Sequence, residues 1–488
     1  MAEFKFTKPY YNVAKLANEV ALEEAWNVYF EAMPQGGYAI RRRPGTQFLE
    51  RAPVNNSVGR GLYWSDRNNE LFTATSTGVY LKPSVNSSQQ QLGTWPDKFP
   101  AVFAEGQLMD VTKSIIYVVN GGQLYWIDVN SGHAWAALTV PAINCPFIMM
   151  MNNRFFASDA TAQRNQDFYI TDVDPATNLM NPLYWASATN PWRAAQKPDF
   201  IAGMYTGWNE IYVWGTQACE VWQEDGVNPI SPLVGSLMEI GMEAPYSLQM
   251  ADNTFFALVT LNGKRAVVKI SGRAPHIISE PIANIIQSYA VISDAIGSLW
   301  FAGGVNYYIL SFPTEGVTWA YDFKSDVWSQ FSTWNLGLGQ HQIFNAPYST
   351  FASEWNLHLA QDFNGTLYTV SRDNLTDAYN APIRSSVRTG WIDHGTWDRK
   401  RSNQLIIKLQ GYAHRPASIL MYTRDDGRPE WSNPVVLDIQ ATVSGQKDHF
   451  CKLNRMGIYR SRQYEFVMTD AADLALVGME EDVTRMRN

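Results

Sequence analysis

The sequence predicts an all-β chain: a β-propeller of six or seven blades, followed by a C-terminal antiparallel β-sandwich or barrel. Three observations predict it. The 488 residues include 18 Trp, 24 Tyr and 23 Phe beside 33 Gly and 24 Pro. Aromatics favour strands and Gly and Pro favour turns, so this mixture describes many short strands joined tightly. The long Ala, Leu, Glu and Lys stretches of a helical bundle are few. Third, one apolar phrase recurs along the middle of the chain at an average step of about 48 residues, the length of a four-stranded blade.

The phrase is a short apolar strand, a turn, and a second strand rich in Tyr or Trp. It appears as Glu70–Ala74 with Gly78–Leu81, and as Ile115–Val119 with Gln123–Asp128. It returns as Phe155–Asp159 with Asp167–Asp172, and as Ile211–Gly215 with Cys219–Trp222. Phe255–Val259 with Ala266–Ile270, Leu299–Gly303 with Asn306–Leu310, and Leu357–Gln361 with Thr366–Val370 complete the series. A blade is a sheet with two apolar faces, each buried against a neighbour, and bulky aromatics fill the wedge between blades. Regular spacing favours this over a stack of hairpins or a sandwich. The two longest steps, 155 to 211 and 299 to 357, leave room for extra loops or a further blade.

Three domains follow. Residues 1–58 form an N-terminal arm with a short helix over Val13–Trp26, 59–383 the propeller, and 384–488 the sandwich. The sandwich rests on four strand-like runs, Leu405–Leu409, Ser418–Tyr422, Val435–Ile439 and Tyr464–Met468.

Charge is uneven. The net −8 divides into +2 over residues 1–60, −13 over 61–383 and +3 over 384–488. An acidic middle argues against ordinary nucleic-acid binding, which needs a basic face. Three distant cysteines, Cys145, Cys219 and Cys451, exclude a disulfide scaffold or a Cys-based zinc site and suit a reducing compartment. No apolar run has signal-peptide or membrane-span length, so synthesis in the cytoplasm and no membrane span are expected.

Little in the sequence points to chemistry. The seven histidines (His133, His276, His341, His358, His394, His414 and His449) form no paired metal spacing. No nucleotide loop or nucleophile elbow occurs. Thr423, Asp425 and Gly427 approach a sialidase-type Asp-box, but Trp431 comes one residue late, and such a turn is first a backbone-capping device. Asp172 and Asp174 lie in a second acidic turn. Arg41, Arg42 and Arg43 on one strand would face alternate sides and not converge on a substrate, and an intersubunit or partner contact is the favoured role. No catalytic residue, cofactor or metal site is predicted, and no enzyme. The competing reading is a glycan-binding or glycan-hydrolysing propeller, which needs two carboxylates converging at the propeller mouth. A cellular scaffold propeller is disfavoured because the WD signature of WD40 repeats is missing.

The succession of motifs carries a resemblance. Trp26–Phe30 leads to Arg43–Thr46 and Gly59–Leu62. Asn153–Ser158, Phe168–Asp172, Ile201–Gly203 and Glu220–Trp222 follow, then Trp319–Phe323, Val327-Trp328 and Arg455–Arg460. Over nearly the whole chain this order resembles the tail hub proteins of short-tailed bacteriophages, also called packaged-DNA stabilisation or tail nozzle proteins. The resemblance implies a virion structural protein in a homohexameric ring below the portal and adaptor. Its partners would be those connector proteins, tail fibre, spike or needle proteins, and genomic DNA that passes through the lumen without sequence-specific binding. Such a ring retains packaged DNA and conducts it at ejection. An acidic propeller lining the lumen would repel the DNA backbone and leave it mobile. Trp95, Trp185, Trp192, Trp334 and Trp397, between strand phrases, are the expected ring and partner contacts.

Overall fold

The computed structural model describes residues 2–9, 20–34, 36–107, 114–185, 191–197, 199–224, 229–302, 304–412, 416–440 and 448–486. Its strands assort into seven blades and a sandwich. Blades 1 to 4 are four-stranded sheets beginning at Gly59–Ser65, Val102–Gln107, Ile148–Met151 and Gly203–Gly207. In blade 5 the innermost strand is split, and Gly241–Met242 and Gln249–Ala251 both pair with Thr254–Leu261. Blade 6 runs through Ile296–Ala302, Val305–Phe312, Val317–Asp322 and Val327–Asn335.

Blade 7 takes three strands from its own stretch, Tyr348–Ala352, Leu357–Gln361 and Leu367–Ser371. Its fourth strand is Gly45–Glu50, from the other end of the chain. A ring of sheets has no covalent closure, and this swap ties the last blade to the first by a hydrogen-bonded ladder.

Burial explains why these residues form blades. Ser114–Val119 is buried along its whole length, and its side chains alternate between two neighbours. Ile115, Tyr117 and Val119 pack against blade 3 with Ile148, Phe155 and Tyr169. Ile116 and Val118 pack against blade 1 with Phe72, Ala74 and Leu81. The period of two sends successive residues to opposite faces, and both faces are interior. The same alternation sends Phe256 and Leu258 to blade 6 and Phe255, Ala257 and Val259 to blade 4. Each of the seven blade interfaces has its own apolar cluster.

Tight turns join the first and second strands. Asn152-Asn153, Trp208-Asn209 and Asp252-Asn253 each place two consecutive residues at positive φ. That is the hairpin turn whose twist matches the flanking strands.

The phrase read from the sequence falls on the second and third strands in every blade except the sixth. There Leu299 lies on the first strand, Ile296–Ala302, and the phrase is one strand early. Both strands are apolar enough to carry the pattern. This slip, with the long hairpin from Val327–Asn335 to Gln340–Ile343, accounts for the last long step. The step between blades 3 and 4 holds a small extra hairpin, Val173–Asp174 with Leu179–Met180.

The N-terminal helix is a correction. Val20–Trp26 is a strand, and residues 13–19 lie outside the described residues. Ala and Glu permit a helix there, but Leu22 and Ala25 are fully buried in the sandwich core, and tertiary burial decides. Nor is the segment a separate arm. One sheet of the sandwich is Val435–Ile439, Ala417–Asp425, Arg462–Met468, Ser385–Thr389 and Val20–Trp26. The other joins Asp448–Tyr459, Lys400–Tyr412 and Asp473–Arg485 to Ala2–Pro9, Tyr38–Arg42 and Val28–Ala32. The first sheet continues into the propeller, because Trp26 pairs with Gln330 on the outer strand of blade 6.

Trp300 tests the wedge packing. It is fully buried between blades 6 and 7 against Phe331, Phe344 and His358, and its indole N–H has no partner among the described residues. Trp300→Ala is expected to cost about 3–5 kcal/mol in denaturant unfolding. Trp300→Phe keeps the ring contacts and drops the unpaired N–H, and is expected to cost less than about 1.5 kcal/mol.

Candidate functional site

Two places concentrate partnered polar side chains: the junction of arm, propeller and sandwich, which holds the Arg41–Arg43 run, and the axial mouth of the propeller.

At the junction the chain crosses between the two sandwich sheets at Asn27, which is fully buried at φ 54. Asparagine tolerates this left-handed backbone, and its amide here is saturated. Oδ1 accepts from Ser332 N at 2.8 Å and from Arg43 Nε at 2.9 Å. Nδ2 donates to Ser332 Oγ at 2.8 Å and to the Arg384 carbonyl at 2.9 Å. Arg43, 1 % exposed, forms a bidentate pair with Asp377 at 2.9 and 2.6 Å. It also donates to the Pro44 and Ser332 carbonyls, and its guanidinium lies 4.6 Å from the Phe344 ring centroid.

This corrects the reading of the arginine run as a partner contact. Arg42 is also buried and donates to the Leu375 and Asp470 carbonyls. Burial, with the Arg43 charge beside it, lowers its pKa to about 10. Arg41 pairs with Glu31 at 2.7 Å and Asp473 at 3.3 Å. The three do face alternate sides, but each side is an internal interface.

Immediately downstream, Gly45 opens the closing strand. A Cβ there would lie 2.2 Å from the Thr376 carbonyl oxygen, so glycine is needed for the chain to pass. Arg43→Ala would leave Asp377 buried without its cation. An equilibrium stability loss of about 3–5 kcal/mol is expected.

At the mouth, the aromatic side chains meet across the ring. Phe99 precedes blade 2, Phe147 enters blade 3 and Tyr246 belongs to blade 5. Yet Tyr246 stacks on Phe99 at 6.1 Å and contacts Phe147 at 5.7 Å. Blades 2 and 5 are not neighbours, so these contacts span the axis. Tyr348, opening blade 7, lies beside Arg60 of blade 1, and burial pushes the Tyr246 and Tyr348 phenols well above their ordinary value. Arg60 holds Asp97 by two hydrogen bonds of 2.7 Å. A glycosidase needs an open mouth with two free carboxylates. Here aromatic rings meet at the axis, and Asp97 is paired with Arg60.

The remaining flagged residues serve turns and packing. Asp425 grips Arg462 at 2.7 and 2.9 Å, and Asp426 accepts from the backbone of Arg460 and Ser461. Trp431 stacks on Arg424 at 4.7 Å and Arg388 at 5.2 Å. Asp172 binds Arg154, and Asp174 accepts from Ala176 N. Cys145 and Cys219 are buried free thiols that burial raises, and Cys451 is a half-buried one. Among the described residues no group of three or more His, Cys, Asp or Glu is placed to hold a metal. Among the described residues no helix is long and apolar enough to cross a membrane.

The loop tryptophans also need correction. Trp95 and Trp185 are buried, bonded to the Thr75 carbonyl and the Tyr117 hydroxyl respectively. Trp192 and Trp334 are half-buried, against Trp222 and His341. Trp397 alone of the five is exposed, at 62 %. Trp192 and Trp334 lie on fourth strands, and the connections that hold Trp95 and Trp185 pack into the wedges, so these four are interior or half-buried while Trp397 is not.

The family model described as bacteriophage P22 Gp10, β-propeller, matches residues 26–357. The chain belongs to this family. It is a phage structural protein and a virion component of the P22 Gp10 type. The match begins in the sandwich, at the residue before Asn27, and ends in blade 7, so it contains the junction strands as well as most of the propeller.

No curated protein matches the chain. Solved structures to which the chain shows similarity include the N-terminal domain of Nup159 (11% identity, TM-score 0.41, 71% of this chain and 98% of that one). Another is the extracellular domain of the putative one-component system BT4673 of B. thetaiotaomicron (8%, 0.43, 74% and 43%). A third is an exo-β-1,3-galactanase of Phanerochaete chrysosporium (9%, 0.27, 78% and 95%).

His358 sets a pH limit for this P22 Gp10 family member. It is buried beside Trp300 and Phe301, and neither ring nitrogen has a partner among the described residues. Burial lowers its pKa to about 4. An unfolded histidine takes up its proton near pH 6.5, whereas the folded one does so only near 4. Between these values the unfolded state binds more protons, so stability is complete above pH 6.5 and falls as pH falls toward 4. His358→Phe is expected to remove up to about 3 kcal/mol of that acid loss, measured as unfolding free energy against pH.

Proposed function

We propose that the chain is a ring subunit of a short phage tail, placed below the portal and adaptor, that retains the packaged genome and conducts it at ejection. Membership in the P22 Gp10 family carries this reading. The ring is a homohexamer. Its partners are the connector proteins on one side, tail fibre, spike or needle proteins on the other, and the genomic DNA within.

Two features of the chain support the conduit role. Phe99, Phe147 and Tyr246 meet at the axial mouth of each propeller and narrow it, so the conduit is the space between copies. The −13 carried by residues 61–383 gives that space a surface that repels phosphate, which holds DNA in place without binding it.

Particles assembled without this protein are expected to package DNA and then lose it. The measurement is nuclease-protected DNA per particle, with the protein supplied in trans as control. Full retention in its absence would refute the role.

A further inference from the structure

One end of the sandwich carries an exposed arginine cluster, with Asp393, Asp398 and Asp426 at its margin. Arg399 and Arg401 open the strand Lys400–Tyr412 and its approach, and Arg455 lies on Asp448–Tyr459, in the neighbouring strand, at φ 58. The register opposes Arg401 to Ile458 and to Thr484, which puts all three on the outer face of the sheet. All three arginines are exposed, and none forms an ion pair among the described residues. Exposed apolar groups lie among them: Ile458 is 52 % exposed and Trp397 62 %. Arg460 fixes the Trp397 loop by donating to its carbonyl at 2.9 Å. Elsewhere in the sandwich arginines are consumed internally, as Arg388 is by Glu24 and Glu465, and Arg462 by Asp425.

The opposite arrangement exists on the propeller. The connections between first and second strands, and between third and fourth, share one face of the disk. On that face Asp66, Asp252, Glu354 and Asp373 are exposed, beside the exposed Arg67 and Lys324. No cation pairs with them among the described residues.

We infer that the arginine-rich end of the sandwich docks on this acidic face of the propeller of a second copy of the chain; the inference rests on the ring reading above. The two surfaces are different and complementary, so the contact is heterologous and propagates from copy to copy until rotation closes it. Arginine around an exposed tryptophan is the composition of an interface centre. Duplex DNA is the weaker fit. Phosphate contacts do not use the apolar surface of Trp397 and Ile458, and a chain of net charge −8 has an unfavourable long-range field for DNA.

The test uses tails assembled in infected cells, with Cys451→Ser removing the half-buried thiol. Ile458→Cys combined with Glu354→Cys is expected to give disulfide-linked multimers on a non-reducing gel, and each single variant none. Arg401→Glu is expected to lower incorporation about tenfold or more, and Glu354→Lys in the same chain to restore most of it. Multimers absent from tails that contain the protein, or no rescue by the second charge reversal, would overturn this contact alone. Absence of the wild-type protein from tails would overturn the ring reading instead. Normal cross-linking with weakened, salt-dependent retention of DNA in Arg401→Glu particles would assign the patch to DNA and overturn the contact with a second copy.

Discussion

Everything in this fold depends on closing a ring whose ends are far apart in the chain. Seven sheets can pack face to face only if the last finds the first. The closing ladder joins Gly45–Glu50 to Leu367–Ser371, more than three hundred residues downstream. The entropy of closing so long a loop grows only slowly with its length, but something local must still hold the two ends in register. Asn27, Arg43 and Asp377 do that. The Arg43 guanidinium meets the Asp377 carboxylate just before the closing strand begins, and Asn27 bonds the same arginine and the outer strand of blade 6. A buried ion pair gains little net energy over an apolar contact but tolerates no substitute partner. At this position it acts as a register mark.

The same constraint explains why the sandwich is not an independent appendage. The chain must pass from the sandwich to blade 7 before blade 1 starts, so its first strands are shared between both units. Val20–Trp26 completes one sandwich sheet and reaches Gln330 of blade 6; Tyr38–Arg42 joins the other sheet two residues before the closing strand. A loose sandwich would pull on the closure, and a loose closure would strip a sheet of its edge.

How much of this is legible in the sequence depends on whether burial leaves a periodic mark. Blade strands buried on both faces appear as short apolar runs, and Ile115–Val119 or Phe255–Val259 can be recognised without a partner in view. The phase of the pattern is less secure, as Leu299 shows, because first and second strands of a blade are equally apolar. The arginine run was opaque for a different reason. Three adjacent arginines are ordinarily solvated, and what buries Arg43 lies 334 positions away. Trp95 and Trp185 misled for a related cause: a connection that fills a wedge has no strand period, yet its indole is interior. The helix at the N-terminus failed because Leu22 and Ala25 have helical propensity but their burial belongs to a sheet.

The narrowed axis changes what the acidic composition means. Were the propeller hollow, its charge would act on whatever passed through it, and one subunit would suffice. With Phe99, Phe147 and Tyr246 meeting across the mouth, the axis is narrowed and the exposed carboxylates Asp66, Asp252, Glu354 and Asp373 lie on a face of the disk. Charge of one sign on the outside of a disk disfavours close packing of identical disks unless another part of the chain supplies the opposite sign. The sandwich, with its exposed arginines, is that part. Because it is built into blade 6 through Trp26 and Gln330, it holds a fixed position relative to its own propeller. A rigid subunit with one basic end and one acidic face sets a single angle between successive copies, and a single angle is what a closed ring requires.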